Sequence, residues 1–213
     1  MIFISPRPEE SAKCICSHFV ACHDLPVTTR MVLEGNGSTT LMLNILADSQ
    51  LFSEVVICAP LVNMAMQCKS VAAVFPRNEW HGLVIRRTRL RDVTGGIVSE
   101  NILIYRESDE SALFPVGNIP FGLHTRELGL FERRQLLEYG LTGIDFGSIP
   151  RSAAGRAYGI AFSNGKLVLV HEVFNPVIVP TALSSNGARS NIERPIRPSA
   201  VQLPTTQENV RQK

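Results

Sequence analysis

Aromatic residues are scarce in this chain. It has one tryptophan, three tyrosines and ten phenylalanines, 7% of 213 residues. The core must therefore be mostly aliphatic. An excess of charge of one sign is missing too. There are 21 Lys and Arg against 19 Asp and Glu, a net charge of +2. That balance excludes a basic nucleic-acid surface, and no run of Lys and Arg interleaved with aromatics occurs. Short pairs such as Arg86-Arg87 and Arg133-Arg134 read as solvated surface. Long hydrophobic runs are absent. The longest, residues 55–66, contains Pro60 and Asn63 and is too short to span a bilayer. The opening Met1-Ile2-Phe3-Ile4 lacks a basic segment and stops at Ser5, so no secretory leader is expected and the cytoplasm is the expected compartment. No phosphate loop of the Gly-Lys-Ser/Thr type occurs. Gly35-Asn36-Gly37-Ser38 is at most an anion-receptive turn ahead of a helix.

Cysteine is present in an odd number, five, without secretory context. Free thiols are expected rather than a disulfide framework. Cys14, Cys16 and Cys22 cluster with His18 and His23. All lie within ten residues, no second ligand pair follows, and Cys14 and Cys16 would face apart on a helix. They read as small helix residues, and no metal is expected.

What is present is the composition of an ordinary globular domain, with 45% hydrophobic and 19% charged residues. The length suffices for one domain with a sizeable core. Pro8-Glu9-Glu10 starts like a helix, and Ala12, Ile15, Phe19 and Val20 continue its stripe to about Cys22. Residues 1–24 are read as an N-terminal helical extension. Short helices are expected over residues 27–33 and from Ser38 to about Ala47. Residues 52–58 and 70–75 read as strands. Residues 83–90 and 97–105 read as a hairpin joined by Asp92-Val93-Thr94-Gly95-Gly96. Residues 121–139 read as helix, interrupted near Gly129 and capped by Gly140. A second hairpin spans residues 156–175 around Asn164-Gly165. Beyond Pro180 the composition turns to Ser, Asn, Arg, Pro and Gln, so 181–213 reads as a disordered tail and 25–180 as the domain. Helices first and hairpins after argue an α+β fold with an antiparallel sheet flanked by helices.

Strand alternation isolates the chemistry. Val168, Val170, Glu172 and Phe174 share one face of a regular strand; Leu167, Leu169, His171 and Val173 share the other. Val84, Arg86, Thr88 and Leu90 share a face, which makes Arg86 the arginine expected to point inward; Arg87 and Arg89 could both face solvent, although Leu83 and Ile85 share their face and weigh against that choice. The plainer solution is that Glu172 and Arg86 pair with each other or with surface groups. The sharper one is a pocket in which Arg86 holds a carboxylate. Desolvation in an apolar pocket favours the neutral form of a carboxyl group, which would suit Glu172 as a general acid.

Four segments carry a family resemblance. They are Gly155-Arg156-Ala157-Tyr158 with Ser163-Asn164-Gly165-Lys166 and Val170-His171-Glu172-Val173-Phe174-Asn175-Pro176; Pro120-Phe121-Gly122 with the segment from Arg133 to Gly140; Leu83-Val84-Ile85-Arg86-Arg87; and Leu33-Glu34-Gly35-Asn36-Gly37-Ser38-Thr39-Thr40. In this order and spacing the chain resembles the chorismate pyruvate-lyase family over residues 25–178. The resemblance implies a cofactor-free and metal-free lyase that converts chorismate to 4-hydroxybenzoate and pyruvate. It implies that Arg86 binds the ring carboxylate, that backbone amides at Thr39 and Phe121 complete that site, and that Glu172 contacts the ring-hydroxyl end. A monomer is favoured. Leu167 stands where the family often has Pro, and residues 106–117 do not match. The same fold resembles the effector-binding domains of some bacterial transcription regulators, which implies the alternative of a non-catalytic module for an aromatic carboxylate. Residues 1–24 are too short for a winged helix, and retention of Arg86 with Glu172 favours an enzyme. His81, His124 and His171 are assigned no role, and His171 is expected to be solvent-facing or satisfied in the core.

Overall fold

The computed structural model describes residues 19–20, 22, 24–61, 69–130, 132–142, 149 and 152–182. Among the described residues seven strands form one sheet: β1 (Phe19–Val20), β2 (Phe52–Pro60), β3 (Leu83–Arg91), β4 (Ile97–Arg106), β5 (Glu132–Thr142), β6 (Ala154–Phe162) and β7 (Leu167–Phe174). The order across the sheet is β1-β5-β6-β7-β4-β3-β2, and every pairing is antiparallel. The helices are α1 (Val27–Glu34), α2 (Thr39–Leu46), α3 (Lys69–Val74), α4 (Glu110–Leu113) and α5 (Phe121–Glu127). This is the expected α+β architecture.

Local chemistry sets both hairpins. Asp92 Oδ1 accepts hydrogen bonds from the backbone N–H groups of Thr94 at 2.9 Å and Gly96 at 2.8 Å, closing the β3–β4 turn. The Thr94 hydroxyl and these amides hold the Asp92 carboxyl below its ordinary pKa. The β6–β7 connection is three residues rather than the two that Asn164-Gly165 suggests. Phe162 pairs with Lys166, and Gly165 takes φ +80°, the left-handed position that ends a three-residue loop.

Both sheet faces are buried. On one face α3 lays Val71, with Phe75 just beyond it, against Ile85, Ile102, Ile104, Leu169 and Val173. On the other, Val84, Leu103, Tyr158, Val168 and Val170 pack with Leu113 and Phe114. That face continues into Leu33, Leu43, Leu90 and Phe174 under α1 and α2. Each such aliphatic side chain contributes about 1.5–3 kcal/mol by leaving water.

The structure corrects several expectations. Residues 70–75 were read as strand, but Lys69–Val74 is helix. The run is too short for its period to be distinguished, and helical spacing puts Val71 and Phe75 on the same side. Residues 132–139 were read as helix, but they belong to β5. Glu, Arg, Gln and Leu favour helix locally, and pairing with β6 overrides that preference. Gly140 lies within the strand and caps nothing. Phe19 and Val20, placed on the N-terminal helix, pair with Thr142 and Leu141 as β1. The rest of that helix, with Cys14 and Cys16, and the tail from residue 183 lie outside the described residues. Arg87 and Arg89 do not simply face solvent. They clamp the fully buried Glu100, at 2.5 and 2.8 Å.

His171 is neither solvent-facing nor satisfied. It is fully buried between its cross-strand neighbours Ile102 and Ala157, and neither ring nitrogen has a partner. Burial lowers its pKa from 6.5 to about 4. The unfolded imidazole therefore takes up a proton at a pH where the folded one does not, and stability falls as pH drops from 6.5 towards 4. Between pH 7 and pH 5 this group should remove about 2 kcal/mol. Urea denaturation at the two pH values checks this. His171→Leu should flatten the difference, and an unchanged difference would assign the titration to another group.

Candidate functional site

The register of β6 against β7 places Arg156 opposite Glu172, on the face covered by α1 and α2. Arg156 is 2% exposed and Glu172 7%. Arg156 Nε donates to Glu172 Oε2 at 3.0 Å. Its Nη1 donates to the carbonyls of Gly35 at 2.6 Å and Leu33 at 3.2 Å, and its Nη2 to Thr39 Oγ1 at 2.5 Å. The Thr39 hydroxyl in turn donates to Glu172 Oε2 at 3.1 Å. Glu172 is thus a fixed, ion-paired acceptor whose Oε2 is engaged and whose Oε1 stands outside these bonds.

A cavity of about 40 Å³ lies over Glu172. Thr88, Asn101 and Glu172 stand side by side across β3, β4 and β7 on its floor. Leu103, Ile160 and Val170 make the floor's apolar part. Thr39 and Thr40 at the start of α2 form one wall, and Phe121 and Gly122 at the start of α5 another. These two helix starts approach closely: a Cβ on Gly122 would lie 3.3 Å from Thr40 Oγ1. Asn101 is 6% exposed, and its Oδ1 is buried without a partner.

Arg134 closes the cavity from β5. Its Nε and Nη2 donate to Glu132 Oε2 at 3.0 and 2.7 Å, and its Nη1 to Gly37 O at 2.7 Å. Burial opposes its charge, but Tyr158 and Glu132 outweigh burial and raise its pKa. Tyr158 lies under both guanidinium groups, 5.4 Å from that of Arg134 and 4.6 Å from that of Arg156. Burial first, and the Glu172 carboxylate second, push the Tyr158 phenol well above its ordinary value.

Of the residues singled out in the sequence, Glu172, Thr39 and Phe121 line this one cavity and Arg86 does not. Arg86 lies two residues along β3 from Thr88. Its Nη1 donates to Glu110 Oε1 at 3.4 Å, and its guanidinium lies 5.0 Å from the Phe114 ring centre. The pairing of Glu172 with Arg86 is replaced by two separate pairs, Glu172 with Arg156 and Arg86 with Glu110.

Sequence reasoning missed Arg156, Asn101, Thr88 and Arg134 as site residues. The signal for Arg156 was available. On β6, Arg156 alternates with Ala157 and shares a face with Tyr158, Ile160 and Phe162, so an arginine sits among large inward side chains. Asn101 likewise shares a face with Leu103 and Tyr105. Arg134 had no such signal, because its segment read as helix.

No family model matches the chain, and no curated protein matches it. Among solved structures, PhnF from Mycobacterium smegmatis is similar over 70% of this chain and 68% of that one, at 12% identity and a TM-score of 0.46. The likeness assigns no function. Among the described residues no three His, Cys, Asp or Glu side chains group as metal ligands, and no helix is long and apolar enough to cross a membrane.

Removing one member of a buried ion pair strands the other, at a typical loss of about 3–5 kcal/mol. Arg156→Met should lower stability by that order, and Arg156→Met combined with Glu172→Met should recover most of it. Urea denaturation of the two variants checks this. A double variant no better than the single one would show that Arg156 acts through the Leu33 and Gly35 carbonyls instead.

Proposed function

We propose that this chain is a small-molecule-binding domain that holds its ligand over Thr88, Asn101 and Glu172 without transforming it. The observation that carries this reading is the fixed state of Glu172. Arg156 and Thr39 both bond its Oε2, which suits an acceptor that orients a ligand and not an acid that gives up a proton. The raised pKa of Tyr158 makes that phenol a neutral hydrogen-bonding group. Arg86, expected to hold a substrate carboxylate, is engaged with Glu110 away from the cavity. This keeps the non-catalytic half of the alternative implied by the resemblance to effector-binding domains and leaves aside the aromatic carboxylate expected there as ligand.

The chorismate lyase is the second reading. Glu172, Thr39 and Phe121 lining one cavity favour it. Volume weighs against it: a benzene-sized ring occupies a cavity of about 150 Å³, and about 40 Å³ is open here. A cyclohexadienyl substrate would require α2 or α5 to move.

Two measurements test the reading. A thermal-shift screen against small hydroxylated and carboxylated metabolites should find a compound that raises the melting temperature. A ligand at a hundredfold excess over its Kd adds about 2.7 kcal/mol, a rise of roughly 5 °C or more for a chain of this size. Incubation with chorismate should release no pyruvate above the spontaneous rate. Equal release of pyruvate and 4-hydroxybenzoate, lost in Glu172→Gln, would overturn the non-catalytic reading and establish the lyase.

A further inference from the structure

We infer that the domain has a second binding site on the opposite face of the sheet, beside the end of α3, for a monocarboxylate with an apolar body of about five to seven carbons. It goes beyond the binding reading above and does not depend on it. Strand alternation on β6 prepares the place. Tyr158, Ile160 and Phe162 point to the side of the first cavity, and Gly159 and Ala161 point to the side of α3. α3 lies close over Gly159: a Cβ there would stand 3.0 Å from Val74 Cγ2. The helix ends at Val74, and Pro76 follows Phe75, so no further helical turn continues the cover. Ala161, the next residue of β6 on that face, is exposed.

A groove of about 240 Å³ opens where the cover ends. Gly159 and Ala161 make its floor. Leu167 on β7 and Ala73 and Val74 on α3 make its apolar sides, and Arg133 and Gln135 on β5 its polar side. Register fixes this arrangement: Arg133 faces Ala161, Ala161 faces Leu167, and Gln135 faces Gly159. Arg133 and Gln135 are exposed, and among the described residues neither has a hydrogen bond or an ion pair. Arg134, on the other face of β5, is spent on Glu132 and Gly37. Arg133 is therefore an unmatched cation at the mouth of an apolar groove.

Charge selects the head group. The lining holds one cation and no carboxylate, so a single negative charge is matched there and an ammonium is repelled. A guanidinium takes a carboxylate in two parallel hydrogen bonds, and Gln135, two residues along the same strand face, offers an amide donor beside it. Size selects the body. A cavity of about 150 Å³ holds a benzene ring, so on that scale the groove admits roughly nine or ten non-hydrogen atoms, as in hexanoate or octanoate. The carboxyl end of a peptide carries the same head group. Its backbone amides, however, would lie against Ala161, Leu167 and Val74, whose side chains offer them no hydrogen bond. A free acid with a hydrocarbon body meets no such cost.

The test uses the full chain, isotope-labelled for NMR, titrated in parallel with hexanoate, octanoate, hexanol, hexylamine and a tripeptide ending in leucine. The two acids should give saturable shifts of the Ala73, Gly159 and Ala161 backbone amides and of the Arg133 side chain, while the Thr88 and Asn101 amides stay in place. Hexanol should bind about fivefold more weakly than hexanoate, the upper end for an exposed ion pair, and hexylamine more weakly still. Salt at about 1 M should narrow the gap between hexanoate and hexanol. Arg133→Met, which keeps an apolar stem, should bring hexanoate down to the level of hexanol. Ala161→Leu, which fills the groove from an exposed position, should abolish binding of both; if it disturbs β6, Ala73→Leu fills the groove from the helix side. Hexanol binding as tightly as hexanoate, or hexanoate binding unchanged in Arg133→Met, would overturn the carboxylate assignment. Tighter binding of the tripeptide would overturn the free acid as occupant. No saturable shift at Ala73, Gly159 and Ala161 would overturn the site. The Thr88 and Asn101 amides report on the first cavity separately, so each of these failures leaves that reading to its own tests.

Discussion

A buried guanidinium is the constraint on which the site depends. Arg156 is almost wholly removed from water and cannot lose its charge, so every lone pair it meets matters. Two of its acceptors, the carbonyls of Leu33 and Gly35, belong to the end of α1 and the turn after it. Carbonyls at a helix C-terminus lack intrahelical partners, and the helix dipole favours a cation there. The same group takes Thr39 at the start of α2 and Glu172 on the sheet. One side chain thereby fastens the α1–α2 turn to the sheet and fixes the wall of the cavity relative to its floor.

The second wall is held in a parallel way. Arg134 reaches Gly37 in the same turn and pairs with Glu132, and Glu132 Oε1 accepts a hydrogen bond from Thr125 Oγ1 of α5 at 2.6 Å. Both helices that roof the cavity therefore connect to arginine–glutamate pairs, one on β5 and one across β6 and β7. Tyr158 lies beneath both guanidinium groups and gives each a π face as well as an apolar seat. The walls are polar, but their charges are matched before any ligand arrives.

Much of this could be read from the sequence where a single physical rule dominates. The two hairpins follow from turn chemistry at Asp92 to Gly96 and at Asn164-Gly165, and Glu172 stands out because strand alternation puts it among valines and a phenylalanine. β5 was not legible. Its residues favour helix, and only the partner strand β6 makes them a strand, which is information far away in sequence. α3 was not legible either, since six residues do not declare a period. The choice of arginine shows a subtler limit. Alternation identifies inward-pointing arginines on β3 and β6 alike, but which one meets Glu172 depends on strand order. β6 lies beside β7, whereas β4 separates β3 from it. Asn101 was overlooked for a related reason: an amide on a strand attracts no attention until its neighbours on both sides prove to be Thr88 and Glu172.

Two buried polar side chains without partners, Asn101 and His171, sit on adjacent strands and face opposite sides of the sheet. Each weakens the fold, since an unsatisfied buried group costs about 1–3 kcal/mol. A leucine at either place would suit its aliphatic neighbours better. Their surroundings separate them. His171 is enclosed by Ile102, Ala157 and the core beneath α3, and the response available to it is protonation, which the core resists. Asn101 opens on a cavity, beside a carboxylate oxygen left outside its own ion pair and a threonine hydroxyl. An unmet polar group in a closed core is only a cost to the folded state, whereas one on a side chain that borders open space and two further polar groups has room beside it for a partner.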